Sequence, residues 1–339
     1  MKFQKRLLLS ILFLSWQVST ASAGTPAISG ELYSGLHSLT PENSKQGYSQ
    51  TLMDYRAYLT LEDSLVVNEQ DKLSIGGKLT LLSDTTGTAP YEAYGELSKG
   101  MFRTRMGLID VGGRNGIALG HEFMTELGKT HQGSYGNNDH AQPNLEVSIF
   151  PISEAEISLA YSTHSGDISV AADDNQGNIG VANLLGKVDF DFFDFGLEYE
   201  AKSFTDNDFN VDATGAKNAV KKTESYLGLS LSFTFLSQSL TPFLNLGSSG
   251  VNDGAGEIKN VADVNLGIDI DLTRNLGTTF AIEQRKVDTI NVQNIYLGLS
   301  YTLAKKLISR ASYWMSDQKA ADGLENLKSQ LDLELAYLF

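Results

Sequence analysis

The chain has 339 residues, with 26 Lys and Arg against 41 Asp and Glu, a formal charge of −15, and no cysteine. That balance excludes a phosphate-backbone binder, so no nucleic acid is expected as a partner, and the missing thiols exclude a disulfide scaffold and thiolate metal sites. At 41% hydrophobic residues the chain is too apolar for disorder, yet its polar and apolar residues are too evenly mixed for a bundle of membrane helices.

The first segment reads as a signal peptide. Lys2, Lys5 and Arg6 precede an apolar stretch over 7–14, and Ala21-Ser22-Ala23 supplies a small-residue cleavage site. The stretch is shorter than the ~20 residues a spanning helix needs. Removing 1–23 takes away three positive charges and no negative one, leaving 24–339, 316 residues at −18, as one exported domain.

From there the hydrophobic period is 2. Val264, Leu266, Ile268, Ile270 and Leu272 alternate with Asp263, Asn265, Gly267, Asp269 and Asp271. Leu227, Leu229, Leu231, Phe233 and Phe235 do the same against Gly228, Ser230, Ser232 and Thr234. In chain order, strands are expected at 28–36, 53–61, 72–82, 91–97, 101–110, 144–150, 155–163, 179–190, 195–203, 224–236, 239–247, 261–272, 276–286, 293–302, 307–315 and 328–339. Tight turns are expected at 98–100, 151–154, 191–194, 237–238, 273–275 and 304–305. Long polar connections are expected at 37–51, 112–142, 165–177, 204–221, 248–260 and 316–326. An even set of ~10-residue strands, apolar on one face and polar on the other, with short turns at one rim and long loops at the other, describes an all-β transmembrane antiparallel barrel of 16 strands. No water satisfies an open edge inside a bilayer, so the last strand must pair with the first.

The stretches ISGELYSGL at 28–36, AYGELSKGMFRTRMGL at 93–108, LLGKVDFDFFDFGLEYEAK at 184–202 and the alternating tail LELAYLF at 333–339 resemble those of a general, non-specific porin of the Gram-negative outer membrane. The resemblance implies a homotrimer in the outer membrane, in contact with its lipid and lipopolysaccharide and passing small hydrophilic solutes and ions. It also implies an assembly signal at Tyr337 and Phe339, read by the barrel-assembly machinery. Two departures stand out. The Pro-Glu-Phe-Gly-Gly run of the family's constriction loop is absent, His121-Glu122-Phe123-Met124 being a loose echo, and the second external loop at 83–90 is short for a subunit latch.

If the apolar set faces lipid, its alternates line the lumen, and these include Arg56, Lys78, Arg103 and Arg105. A 16-strand barrel is wide enough for an aqueous channel, so something must narrow it. The 112–142 connection follows the fifth strand, and a loop of ~30 residues is uncommon without a task. By the resemblance it folds into the lumen as the third external loop. It carries Glu122 and Glu126, with Asp110 at its root. The expected constriction sets the four basic residues on the wall against these three carboxylates, creating a transverse field. Glu146, Asp189, Glu198, Asp269, Asp271, Glu283, Asp332 and Glu334 outnumber Lys187, Arg285 and Arg310 elsewhere, which predicts a mild cation preference.

Three other readings compete with a channel. An enzyme would need a positioned nucleophile and base. His37, His121, His131, His140 and His164 accompany no nucleophile elbow, and His131 and His140 with Asp139 match no standard metal spacing. Gly112-Gly113-Arg114-Asn115-Gly116 lacks the context of a phosphate cradle, so no cofactor is expected. A structural or adhesive barrel without permeation is the second rival. The third is a substrate-specific porin with lumenal aromatics. Against it, Tyr33, Tyr58, Tyr94 and Trp314 read as girdle residues at the membrane interface.

Overall fold

The computed structural model describes residues 26–41, 50–68, 72–84, 87–109, 123–124, 142–165, 176–211, 217–235, 239–252, 258–287, 290–317 and 327–339. The expected signal peptide lies outside them. Sixteen strands run in order: Ala27–Pro41 (β1), Gln50–Asn68 (β2), Leu73–Asp84 (β3), Gly87–Lys99 (β4), Phe102–Ile109 (β5), Gln142–Ile152 (β6), Ala155–Ser165 (β7), Gln176–Phe190 (β8), Phe193–Val211 (β9), Lys217–Phe233 (β10), Leu240–Asn252 (β11), Ile258–Thr273 (β12), Leu276–Val287 (β13), Ile290–Ala304 (β14), Leu307–Ser316 (β15) and Leu327–Leu338 (β16).

Each strand pairs antiparallel with its chain neighbours, and β16 pairs with β1, so the sheet is a closed barrel without a free edge. Gly30 and Phe339 exchange main-chain hydrogen bonds of 3.1 and 2.9 Å at the seam. The Phe339 ring lies over Gly30, where any Cβ would collide with it. Gly100 takes φ +59° in the β4–β5 turn, a conformation that glycine adopts without a Cβ penalty.

Burial is inverted relative to a soluble protein. Leu266, Leu299, Leu333, Phe280 and Met106 are exposed, while Glu198, Asn245, Thr279, Glu283 and Asp332 are buried. The two sets alternate residue by residue, so the greasy set faces outward and the polar set faces the lumen. Water would penalise that outer surface and hydrocarbon does not, which makes the barrel a membrane-spanning one. At the short-turn rim Phe193 and Phe233 lie 5.1 Å apart, and Phe190 and Phe192 stack at 6.2 Å. Aromatic rings at such a rim match the interfacial girdle of membrane barrels.

The expected turns at 98–100, 151–154, 191–194, 273–275 and 304–305 are tight and that at 237–238 lies outside the described residues, but several long connections are shorter than the sequence suggested. β9 continues to Val211 and β10 begins at Lys217, so most of 204–221 is hairpin; β11 and β12 likewise extend into 248–260. The reason is physical: beyond the bilayer both faces of a strand meet water, alternation is no longer required, and periodicity loses sight of it.

Candidate pore constriction

The basic residues of β3 and β5 sit on the lumen-facing set and bind carboxylates of β4, β6 and β7. Register places Arg105 beside Glu96 on β4 and Glu146 on β6. Arg105 donates from Nε to Glu146 Oε1 at 2.8 Å and from Nη2 to Oε2 at 2.7 Å, a bidentate grip, and its guanidinium lies 5.2 Å from the Tyr94 ring centroid. Arg103 donates to Glu156 on β7 and stands 3.5 Å from Glu146, with its guanidinium 4.7 Å from the Phe150 ring centroid. Ser148 donates to Glu146 at 3.0 Å, Ser158 donates to Glu156 at 2.7 Å, and the two hydroxyls meet at 2.8 Å. Both arginines are thereby locked into one network. Lys78 pairs with Glu92 at 2.6 Å. Arg56 faces Tyr33 across the β1–β2 pair, on the side of β2 opposite the exposed Met53, Tyr55 and Leu59.

Across the barrel stands a different wall. Phe123 and Met124 belong to the connection that leaves β5 at Ile109, 14 residues earlier, yet they dock on β13 and β14. In a 16-strand ring, β13 is diametrically opposite β5. Sixteen tilted strands imply a backbone diameter of about 32 Å, and a 14-residue segment can span up to about 46 Å when extended. Phe123 and Met124 therefore sit on the inner wall opposite the strand that their connection leaves. The Phe123 amide donates to Thr279 Oγ1 at 3.2 Å, and Thr279 in turn donates to Asp269. A Cβ on Gly277 would strike the Phe123 ring, and one on Gly298 would strike Met124, so both glycines leave room for this seat. Met124 is 1% exposed in an apolar cluster with Phe243, Ala281 and Tyr296, with Trp314 packed against it.

The rest of the lumen is acidic, and neutral donors hold many of its carboxylates. Glu283 accepts from Asn294 and from the Tyr296 hydroxyl, both at 2.7 Å. Glu198 accepts from Asn183 at 2.6 Å, and Asp332 from Ser312 at 3.2 Å. Cationic partners appear at Arg310, 3.4 Å from Glu334, and Arg285, 3.7 Å from Asp263.

Of the residues singled out from the sequence, Arg103 and Arg105 come together in one network, with Lys78 and Arg56 on the same inner surface. Asp110, Glu122 and Glu126 lie outside the described residues. The girdle reading of four aromatics is corrected. Tyr33 is 4% exposed beside Arg56, Tyr94 carries Arg105, Trp314 abuts Met124, and the Tyr58 ring meets Tyr33 edge-on at 6.2 Å. Each is the lumenal alternate of a lipid-facing neighbour, so strand parity, rather than residue type, decides the face. Sequence reasoning missed the seat at Gly277, Thr279, Ala281 and Gly298; the signal was a run of small residues at inward positions of two adjacent strands.

Among solved structures, this closed 16-strand architecture is matched by outer-membrane barrels, porins among them. No protein-family profile matches the chain, and no curated protein matches it by sequence. Among solved structures it is similar to OmpT of Vibrio cholerae in a trimer form (TM-score 0.67, 12% identity, 94% of this chain and 100% of that one). It is also similar to the anion-selective porin of Comamonas acidovorans (TM-score 0.66, 12% identity, 93% and 99%) and to a mutant of the Rhodopseudomonas blastica porin (TM-score 0.61, 16% identity, 93% and 100%). At these identities the likeness is one of fold.

Proposed function

We propose that this protein is an outer-membrane porin, exported with cleavage after residue 23, whose mature 24–339 barrel passes small hydrophilic solutes and ions by passive diffusion. The observation that carries the reading is the seat of Phe123 and Met124 on the inner wall, opposite β5. A polar interior is narrowed by Phe123 and Met124 docked on β13–β14, which a channel needs and a purely structural barrel does not. In this reading the barrel conducts and catalyses nothing.

Arg56, Lys78, Arg103 and Arg105 line the constriction, with Asp110, Glu122 and Glu126 of the connection as their acidic counterparts. Arg103, Arg105 and Lys78 are matched locally by Glu156, Glu146 and Glu92. The lumen-facing set is acidic on balance, with Glu198, Glu283 and Asp332 bound by neutral donors, and this favours cations. Homotrimerisation, contact with lipopolysaccharide and recognition of Tyr337 and Phe339 by the assembly machinery belong to the same proposal. Liposome swelling with a size series of sugars tests it: uptake falling steeply with sugar size supports the channel, and tight vesicles refute it.

A further inference from the structure

Along the seam of the barrel, the lumenal face of β1 to β4 encloses a recess of about 310 Å³. Two of its walls are aromatic. Tyr58 and Tyr91 stand nearly perpendicular, at 80° with centroids 5.6 Å apart, and both keep part of their surface open. Tyr33 packs edge-on against Tyr58 at 6.2 Å and donates its hydroxyl to Glu31, which also lines the recess. Lys78 is the one cationic side chain among the lining residues, and Glu92 holds it at 2.6 Å. With Lys78 matched by Glu92, Glu31 leaves the recess with negative charge next to two aromatic rings.

We propose that this recess is a binding site for small organic cations of the alkylammonium class. Ring faces attract weakly hydrated ammonium groups, whose methyl shell fits an aromatic corner, and a carboxylate beside the rings adds charge attraction. A bare metal ion is a poorer fit, because it demands a cage of oxygen ligands; no cluster of three or more carboxylate or histidine side chains suited to a metal occurs among the described residues. A neutral polyol could use the rings but gains nothing from Glu31. The site would hold such cations briefly within the lumen, beyond what a sieve does.

The test is calorimetric titration of the folded, detergent-solubilised full chain with choline and with its neutral carbon isostere 3,3-dimethyl-1-butanol. Choline is expected to bind saturably and the isostere not. Tyr58→Leu and Glu31→Gln should each weaken choline about tenfold. Glu31→Gln keeps the side-chain size, so it carries the test if Tyr58→Leu fails to assemble. Absence of saturable choline binding, equal binding of the isostere, or unchanged affinity in Glu31→Gln overturns the proposal. The titration needs no conduction: a barrel that binds choline but passes no current supports the site while refuting the channel.

Discussion

Arg105 and Glu146 face each other across β5 and β6 and share two hydrogen bonds, at 2.8 and 2.7 Å. The pair turns a cation in the expected constriction into a locally neutral unit. Glu146→Gln should therefore unmask Arg105 and move the salt-gradient reversal potential toward anions. Removing Arg105 as well, in Arg105→Ala/Glu146→Gln, should move it back. An unchanged potential in the single variant would mean that Arg105 does not border the ion path.

The seat for Met124 makes a second prediction. Met124→Ala should lose about 2–4 kcal/mol of local packing, and Gly298→Leu should evict the side chain outright, because a Cβ there already meets it. In both variants the barrel should assemble normally while single-channel conductance rises and larger sugars enter liposomes. Conductance equal to that of the parent chain would show that this segment does not limit the pore.

Parity along a strand predicts opposite outcomes for adjacent residues. Leu159 is 57% exposed on the outer face, whereas Ala160 is buried on the lumen side opposite Glu146. Leu159→Arg should cost about 2–4 kcal/mol near the bilayer midplane, and Ala160→Ser, which adds a hydroxyl on the polar lumenal face, under about 1 kcal/mol. Urea unfolding in lipid vesicles measures both, and equal losses would contradict the assignment of faces.

At the seam, the Phe339 ring covers Gly30 and stacks with Tyr337 at 6.2 Å. Phe339→Ala should remove about 1 kcal/mol of cross-strand packing and slow closure of β16 on β1. Gly30→Val should do the same by displacing the ring. Refolding rates into detergent micelles check this, and closure as fast as in the parent chain would contradict it.

The architecture was legible because a membrane barrel writes its faces into a period-2 code. The stretch Val264 to Leu272 alone places five side chains outward. Hairpin length was not legible past the bilayer, as at Val211 and Lys217, where water on both faces erases the code. Arg103 and Arg105 followed from parity, but their partners did not: Glu146 and Glu156 are set by strand register, which alternation leaves open. Tyr33 and Tyr94 were misread by weighing residue type above parity. The seat of Met124 depends on a long-range contact with Gly298 that no local pattern encodes.

In the proposed function, the inward polar set surrounds a water path narrowed by Phe123 and Met124 on the β13–β14 wall. Recording purified protein in a planar bilayer under a salt gradient tests this most directly. The account predicts discrete conductance steps with a cation-signed reversal potential, and larger steps for Met124→Ala. A bilayer that stays silent with both proteins, although each inserts as a folded barrel, would contradict it.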